Sequence, residues 1–323
     1  MDIIKSDTKI NFLRYSNLAL VLSALILVGG IVSLFARGLN FGLDFTGGTL
    51  IELHYPQAPE LSEVRQILED TGFDDFVVQT FGTASDIVVR IPASDVGESG
   101  ADLSTRVLEA LSENVPDLEM RRVEFVGPQI GQELAEQGGL ALLYVLIGVL
   151  IYVSFRFQWR FAVGAVGALV HDVLVVLGVL SILQVSFDLT VVAAILALIG
   201  YSLNDTIVVY DRLRENFQTR RKGSPKELTN LAINQMLGRT IMTSLTTLLV
   251  LTALFYFGGE IIHAFAFTLI IGVIVGTYSS VYVAGSLAVK LGVSKMDLMP
   301  VQKEGADQPD TEILPERFRN RES

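Results

Sequence analysis

Long, nearly uninterrupted apolar runs decide what this chain can fold into. Leu140–Phe155 and Phe161–Leu183 are almost entirely Val, Leu, Ile, Ala, Gly and aromatic residues. Runs of about 18 or more apolar residues read as helices that cross a bilayer, because lipid leaves backbone polar groups no partner outside the helix itself. A soluble core would interrupt them with a polar face every helical turn. Six such spans are expected, near 16–36, 138–155, 161–183, 189–210, 240–258 and 262–289. The first is longer than the apolar core of a signal peptide and is followed by no small-residue cleavage site, so it is read as an uncleaved span. The sequence is 50% hydrophobic and carries a net charge of -11, so its charges must be segregated between the spans. With no cysteine, disulfides and Cys-based metal sites are excluded.

Lys and Arg set the expected orientation, since short cytoplasmic connections are enriched in them. Lys5, Lys9 and Arg14 precede the first span, and Arg156 and Arg160 lie between the second and third. Arg212, Arg214, Arg220, Arg221, Lys222, Lys226 and Arg239 fall between the fourth and fifth. The alternate connections, 184–188 and 259–261, have neither residue. Residues 1–15 are therefore expected on the cytoplasmic side with the tail 290–323, which is polar, Pro-containing and expected to be disordered. The segment 37–137 is then expected outside, in the periplasm. It is acidic and lacks lysine, which argues against nucleic acid as a partner.

Within 37–137 the patterns alternate. Strands are expected at Thr49–Tyr55, Phe76–Phe81, Ile87–Ile91 and Leu118–Val126, with residues 82–86 as a hairpin connection. Helices are expected at Leu61–Leu68 and around Leu103, Val107, Leu108 and Leu111. The order βαββαβ is the ferredoxin-like plan. The fold class is thus an α-helical polytopic membrane protein of six transmembrane helices bearing one periplasmic α+β domain. His54 stands alone in its strand, and the pairs Glu69–Asp70 and Asp74–Asp75 read as solvated charges rather than a metal site. No cofactor is expected. A hydrolase is disfavoured, since neither G-x-S-x-G nor H-E-x-x-H occurs.

Four stretches stand out. Phe41–Thr49 follows the first span, with Gly42, Gly47 and Gly48 permitting close backbone approach and Asp44 and Thr46 able to bond a turn. On residues alone it reads as the turn by which the chain leaves the membrane. Gly200–Arg212 places Asp205 inside the fourth span, where an ionisable group is costly and marks a functional site. Asn204 points about 100° from Asp205 and can bond a neighbouring span. Gly238–Ser244 opens the fifth span, where Arg239, Thr243 and Thr247 share one face and Thr240 and Ser244 widen it. That stripe is expected to face the bundle interior. Arg239 has an alternative reading as an anchor reaching to the headgroups. His171 and Asp172 lie mid-span in the third helix; a proton relay and a packing pair are both open readings. Between the fourth and fifth spans, Ser224-Pro225-Lys226-Glu227 is a capping box that should begin an amphipathic cytoplasmic helix near 225–237.

These four motifs, in this order and topology, make residues 10–295 resemble the SecF family of protein-export membrane proteins, in the resistance-nodulation-division superfamily. The resemblance implies a complex with SecD, whose six homologous spans pair with these, and association with the SecYEG channel and YajC. It implies work on a translocating preprotein after the stage driven by SecA, with protons as the coupling ion. It also implies that Asp205 and Arg239 are the proton-coupling residues. A small-molecule transporter subunit of the same superfamily and a passive scaffold are the rival readings.

Overall fold

The computed structural model describes residues 10–73, 76–92, 100–115, 117–157, 159–220 and 223–293. The expected Asp74–Asp75 pair, and residues 294–323 of the expected tail 290–323, lie outside the described residues.

Six helices are long and apolar enough to cross a membrane: Ser16–Arg37, Pro128–Arg156, Trp159–Leu183, Leu189–Thr219, Pro225–Phe257 and Ile261–Lys290. The third and fourth form the centre of the bundle, and Leu169, Val176, Ile195 and Leu198 are fully enclosed there. The first span packs on the third through paired glycines: a Cβ on Gly178 would lie 2.6 Å from Gly30 Cα. One helical turn further out, Ser33 Oγ lies 2.9 Å from Ser181 Oγ. Small residues let the two backbones meet where larger ones would hold them apart.

The fourth and fifth spans differ from expectation at their shared end. No separate amphipathic helix occupies 225–237. Pro225 at the first helical position and the Ser224/Glu227 capping box start a 33-residue helix that runs unbroken into the fifth span. Gly238 is the weakest point within it, and an interior glycine costs only about 1 kcal/mol. The extension is packed rather than laid on a surface: Leu228, Ala232 and Ile233 are buried. Asn234 bonds both backbone groups of Ile10, accepting from its N–H at 2.9 Å and donating to its carbonyl at 2.8 Å. Gln235 Oε1 accepts from Arg212 at 2.8 Å and Asn216 at 3.0 Å, tying the extension to the fourth helix.

The sixth span has its own irregularity, a π-helical turn at Ser280–Ala284. Such turns insert a residue into the helix and are frequent at functional sites.

The extramembrane domain contains β1 (Gly48–His54), α1 (Leu61–Asp70), β2 (Val77–Phe81), β3 (Thr83–Ile91), α2 (Gly100–Ser112) and β4 (Glu119–Val126). The strand order is β2-β3-β1-β4, all antiparallel, which is the ferredoxin-like arrangement. Ile51, Leu53, Ile87 and Val89 meet Val64, Leu68, Val107 and Leu111 in its core. The β2–β3 turn is tighter than expected. Residues 83–86 belong to β3, and Gly82, at φ +75°, makes the reversal. The polar run Thr83–Asp86 resembles a loop in sequence, yet Asp86 is buried and sits opposite His54 in the ladder.

Asp86 anchors that end of the sheet. It accepts from Thr83 Oγ1 at 2.5 Å, lies 2.6 Å from His54 Nδ1 and pairs with Arg121 at 3.0 Å. The Thr83 hydroxyl, with His54 and Arg121, holds its carboxyl below the ordinary value, against the opposing effect of burial. A carboxyl lowered on folding adds stability above its unfolded value, near 3.8, and loses it as pH falls through the folded value. Asp86→Asn should therefore lower the melting temperature at neutral pH, through a loss of about 1–2 kcal/mol, and flatten the acid-side decline. Melting curves of both proteins from about pH 3 to pH 7 check this; parallel declines would count against the role of Asp86.

Candidate functional site

The Phe41–Thr49 motif forms the joint between membrane and domain. Asn40–Phe41 pairs in parallel with Ser186–Phe187, so the outer end of the first span is knitted to the connection between the third and fourth. Gly42 N–H donates to Phe187 O at 2.7 Å, and a Cβ on Gly42 would sit 3.1 Å from that of Asp188. Leu43–Thr46 makes one helical turn, and Asp44 Oδ2 accepts from Leu189 N–H at 2.9 Å. Asp188 caps the fourth span's helix, Leu189–Thr219, by accepting from Val191 N–H at 3.0 Å. Gly47 and Gly48 then take φ +67° and +125°, turning the chain into β1, and a Cβ on Gly47 would lie 3.0 Å from Pro128 Cα. Across the joint, Arg90 of β3 donates to Phe41 O at 3.2 Å. Burial pulls its guanidinium below the ordinary value, while Asp188 and Asp44 act against that. The motif is thus a splice, with contacts that only small or backbone-bonding residues can make.

Asp205 is buried in the fourth helix, at 4% exposure. Among the described residues, its Oδ2 has no hydrogen-bond partner. The cation that acts on it electrostatically is Arg239, yet the two form no direct ion pair. Buried polar atoms are nearly always satisfied, so an open carboxylate oxygen inside a span needs an explanation. The stripe on the fifth helix is split. Thr240 and Ser244 face inward, as expected, whereas Arg239 is exposed on the bundle surface. Thr243 and Thr247 are half-buried between them. Thr243 Oγ1 donates to its own helix, at Arg239 O and Thr240 O. Asn204 is exposed on the face of the fourth helix turned away from the core. Asn204 and Arg239 thus lie on open surface, while Asp205 is enclosed near it.

His171 and Asp172 are both buried, at 6% and 1% exposure. Neighbours on a helix point about 100° apart, but the imidazole reaches back to its neighbour, with Nδ1 2.9 Å from Asp172 Oδ1. The other carboxylate oxygen accepts from Ser202 of the fourth helix at 2.6 Å and from Ser279 of the sixth at 2.7 Å. Asp172 therefore joins three helices, and Ser202 lies one turn from Asp205.

Sequence reasoning passed over the sixth helix. Thr277, Tyr278 and Ser279 are consecutive, and each bonds a different span. Thr277 Oγ1 lies 2.7 Å from Ser244 Oγ of the fifth, Tyr278 OH donates to Ala19 O of the first at 2.8 Å, and Ser279 reaches Asp172. Three adjacent polar residues in an apolar run, just before the π turn, were the available signal. Among the described residues, no group of three His, Asp or Glu is placed to hold a metal ion.

Comparison with known proteins agrees with this architecture. The family described as "Protein export membrane protein SecD/SecF, C-terminal" matches residues 106–294, and the "SecD/SecF GG Motif" matches residues 32–57. The chain is 51% identical to the protein translocase subunit SecF of Vibrio alginolyticus over 309 residues, covering 94% of this chain and 98% of that one. It is 50% identical to the SecF subunit of Pseudomonas aeruginosa, covering 91% and 95%. The crystal structure of SecDF from Thermus thermophilus, a translocon-associated membrane protein, superposes with a TM-score of 0.79 at 38% identity, over 88% of this chain and 39% of that chain. On the strength of its two family matches, its half-identical relatives and its shared fold, this multi-pass membrane protein belongs to the SecD/SecF family of protein-export membrane proteins.

Proposed function

We propose that the chain is a non-enzymatic subunit of the Sec translocase of the bacterial inner membrane. It works with SecD, beside SecYEG and YajC, to draw preprotein outward after the SecA-driven stage, using the proton-motive force. The observation that carries this reading is the Asp205 carboxylate, enclosed near an open helix face: among the described residues one of its oxygens is unsatisfied, and Arg239 acts on it without pairing with it. A self-sufficient bundle would satisfy both groups. A half-site waiting for a second six-helix subunit leaves Arg239 on open surface and the enclosed Asp205 close beneath it, to be completed by the partner. Asp205 takes up and releases the proton, and Arg239 biases that exchange. The test is preprotein translocation into inverted membrane vesicles, with and without a proton gradient, in vesicles containing or lacking this chain. A gradient-dependent gain that needs the chain supports the reading; an equal gain without it overturns the reading.

The orientation proposed from the charged connections puts both termini in the cytoplasm and the βαββαβ domain in the periplasm. Ser62, in the βαββαβ domain, and Thr219, at the last residue of the fourth span's helix, are both exposed, and the protein has no native cysteine to confuse the result. Ser62→Cys should react with an impermeant thiol reagent added to spheroplasts. Thr219→Cys should react only after the membrane is opened. The reverse pattern would sink the orientation and the proposed direction of transport together.

A further inference from the structure

At the shared end of the first, fifth and sixth spans, a pocket of about 180 Å³ is lined by Leu13, Arg14, Ser16, Lys226, Ser286 and Lys290. Its volume is roughly that of six waters. Three features of it are unexplained by the fold. Arg14, Lys226 and Lys290 come from three different helix ends, and among the described residues none has an acidic partner. The nearby Glu227 is already engaged with the backbone N–H of Ser224 in the capping box. Second, Ser286 is 3% exposed, and its Oγ has no hydrogen-bond partner among the described residues. Third, the 22-residue first span starts without a side-chain cap, so the free N–H groups of its first turn lie beside the pocket at Ser16.

Each feature asks for the same ligand. Clustered cations without counter-charge attract an anion, a buried hydroxyl needs an acceptor, and an uncapped helix N-terminus favours negative charge. Leu13 is buried against the pocket and offers an apolar wall on one side. The pocket also lies where the first, fifth and sixth spans end, on the side that the basic connections assign to the cytoplasm. We propose that it binds the phosphodiester headgroup of an anionic phospholipid. Lys226, Lys290 and Arg14 bind its charge, Ser286 donates to a phosphate oxygen, and the glycerol side rests on Leu13. Basic pockets between spans at the membrane surface are a known means of holding such lipids.

The test uses the chain purified with its partner subunit and reconstituted in phosphatidylcholine nanodiscs containing graded amounts of phosphatidylglycerol. Retained lipid is read by native mass spectrometry. Wild type should retain phosphatidylglycerol over phosphatidylcholine. Each cation removed should weaken retention about fivefold, so Lys226→Ala with Lys290→Ala should weaken it roughly 25-fold. Lys226→Arg with Lys290→Arg should keep it. Ser286→Ala, which changes no charge, should weaken retention about fivefold and separates loss of the site from misfolding. Equal retention of both lipids, or an unaffected double Ala variant, overturns the proposal. So does full displacement of the lipid by millimolar inorganic phosphate, which would assign the pocket to free phosphate.

Discussion

Asp205→Asn should leave the protein inserted and bound to its partner, and reduce preprotein translocation under a proton gradient to the level seen without one. Asn keeps the size and the hydrogen-bonding shape of the side chain but cannot exchange a proton. The packing around Asp205 therefore persists while its titration is lost. Arg239→Met should have the same effect for a different reason. Arg239 is exposed and makes no direct ion pair with Asp205, so its removal costs the bundle little. On the proposed coupling role, it removes the cation whose distance would set how readily Asp205 holds its proton. If two arrangements of the fourth and fifth helices differ a hundredfold in proton affinity, protonation shifts their equilibrium by about 2.7 kcal/mol, and the converse holds equally. An imposed gradient can then drive the helices through a cycle. Thr206→Ala, one residue along the helix, should retain stimulation. Full stimulation in Asp205→Asn would transfer the coupling role to the His171–Asp172 pair.

The largest effect on stability is expected at Asp172. Its carboxylate accepts from Ser202 and Ser279 and contacts His171, joining three helices. Asp172→Ala takes this acceptor from the Ser202 hydroxyl and the His171 imidazole, and leaves the Ser279 hydroxyl only its own helix's Gly276 O, all in a buried setting. Single interhelical bonds within membranes average well under 1 kcal/mol, but a buried charge-assisted cluster loses all its bonds at once. The expected cost is about 2–5 kcal/mol. Ser279→Ala, which removes one donor, should cost about 1 kcal/mol. Denaturant unfolding of the partner-bound protein would measure both. An Asp172→Ala protein as stable as wild type would mean that the three-helix junction is held by packing alone.

The sequence makes the domain's fold readable for a simple reason. Its strands and helices alternate at short spacing, and handedness and short connections leave few ways to pair them. The Thr83–Asp86 segment misleads because its residues favour turns, while its position opposite His54 rewards a strand. Continuity from 225 to 257 is hidden by Gly238, whose local penalty is outweighed by packing on either side. Asp205 is visible at once, as an acid in an apolar run. The exposure of Arg239 is not, because it depends on how the fifth helix is rotated against its neighbours. The 277–279 junction is harder still. A hydroxyl in an apolar helix can bond its own backbone, as Thr277 also does to Val273 O at 2.7 Å, so composition alone does not separate local bonding from a tie between helices.

The central claim is that the proton occupancy of Asp205 changes with the working cycle. A hydrophobic carbodiimide reacts with protonated carboxyls inside membranes, and the modified residue can be located by mass spectrometry. Inverted vesicles containing the protein with its partner should be labelled with and without an imposed proton gradient. The account predicts labelling at Asp205 whose extent changes with the gradient in wild type and does not change in Arg239→Met. Labelling at Asp205 that is absent, or equal under both conditions in wild type, would contradict it.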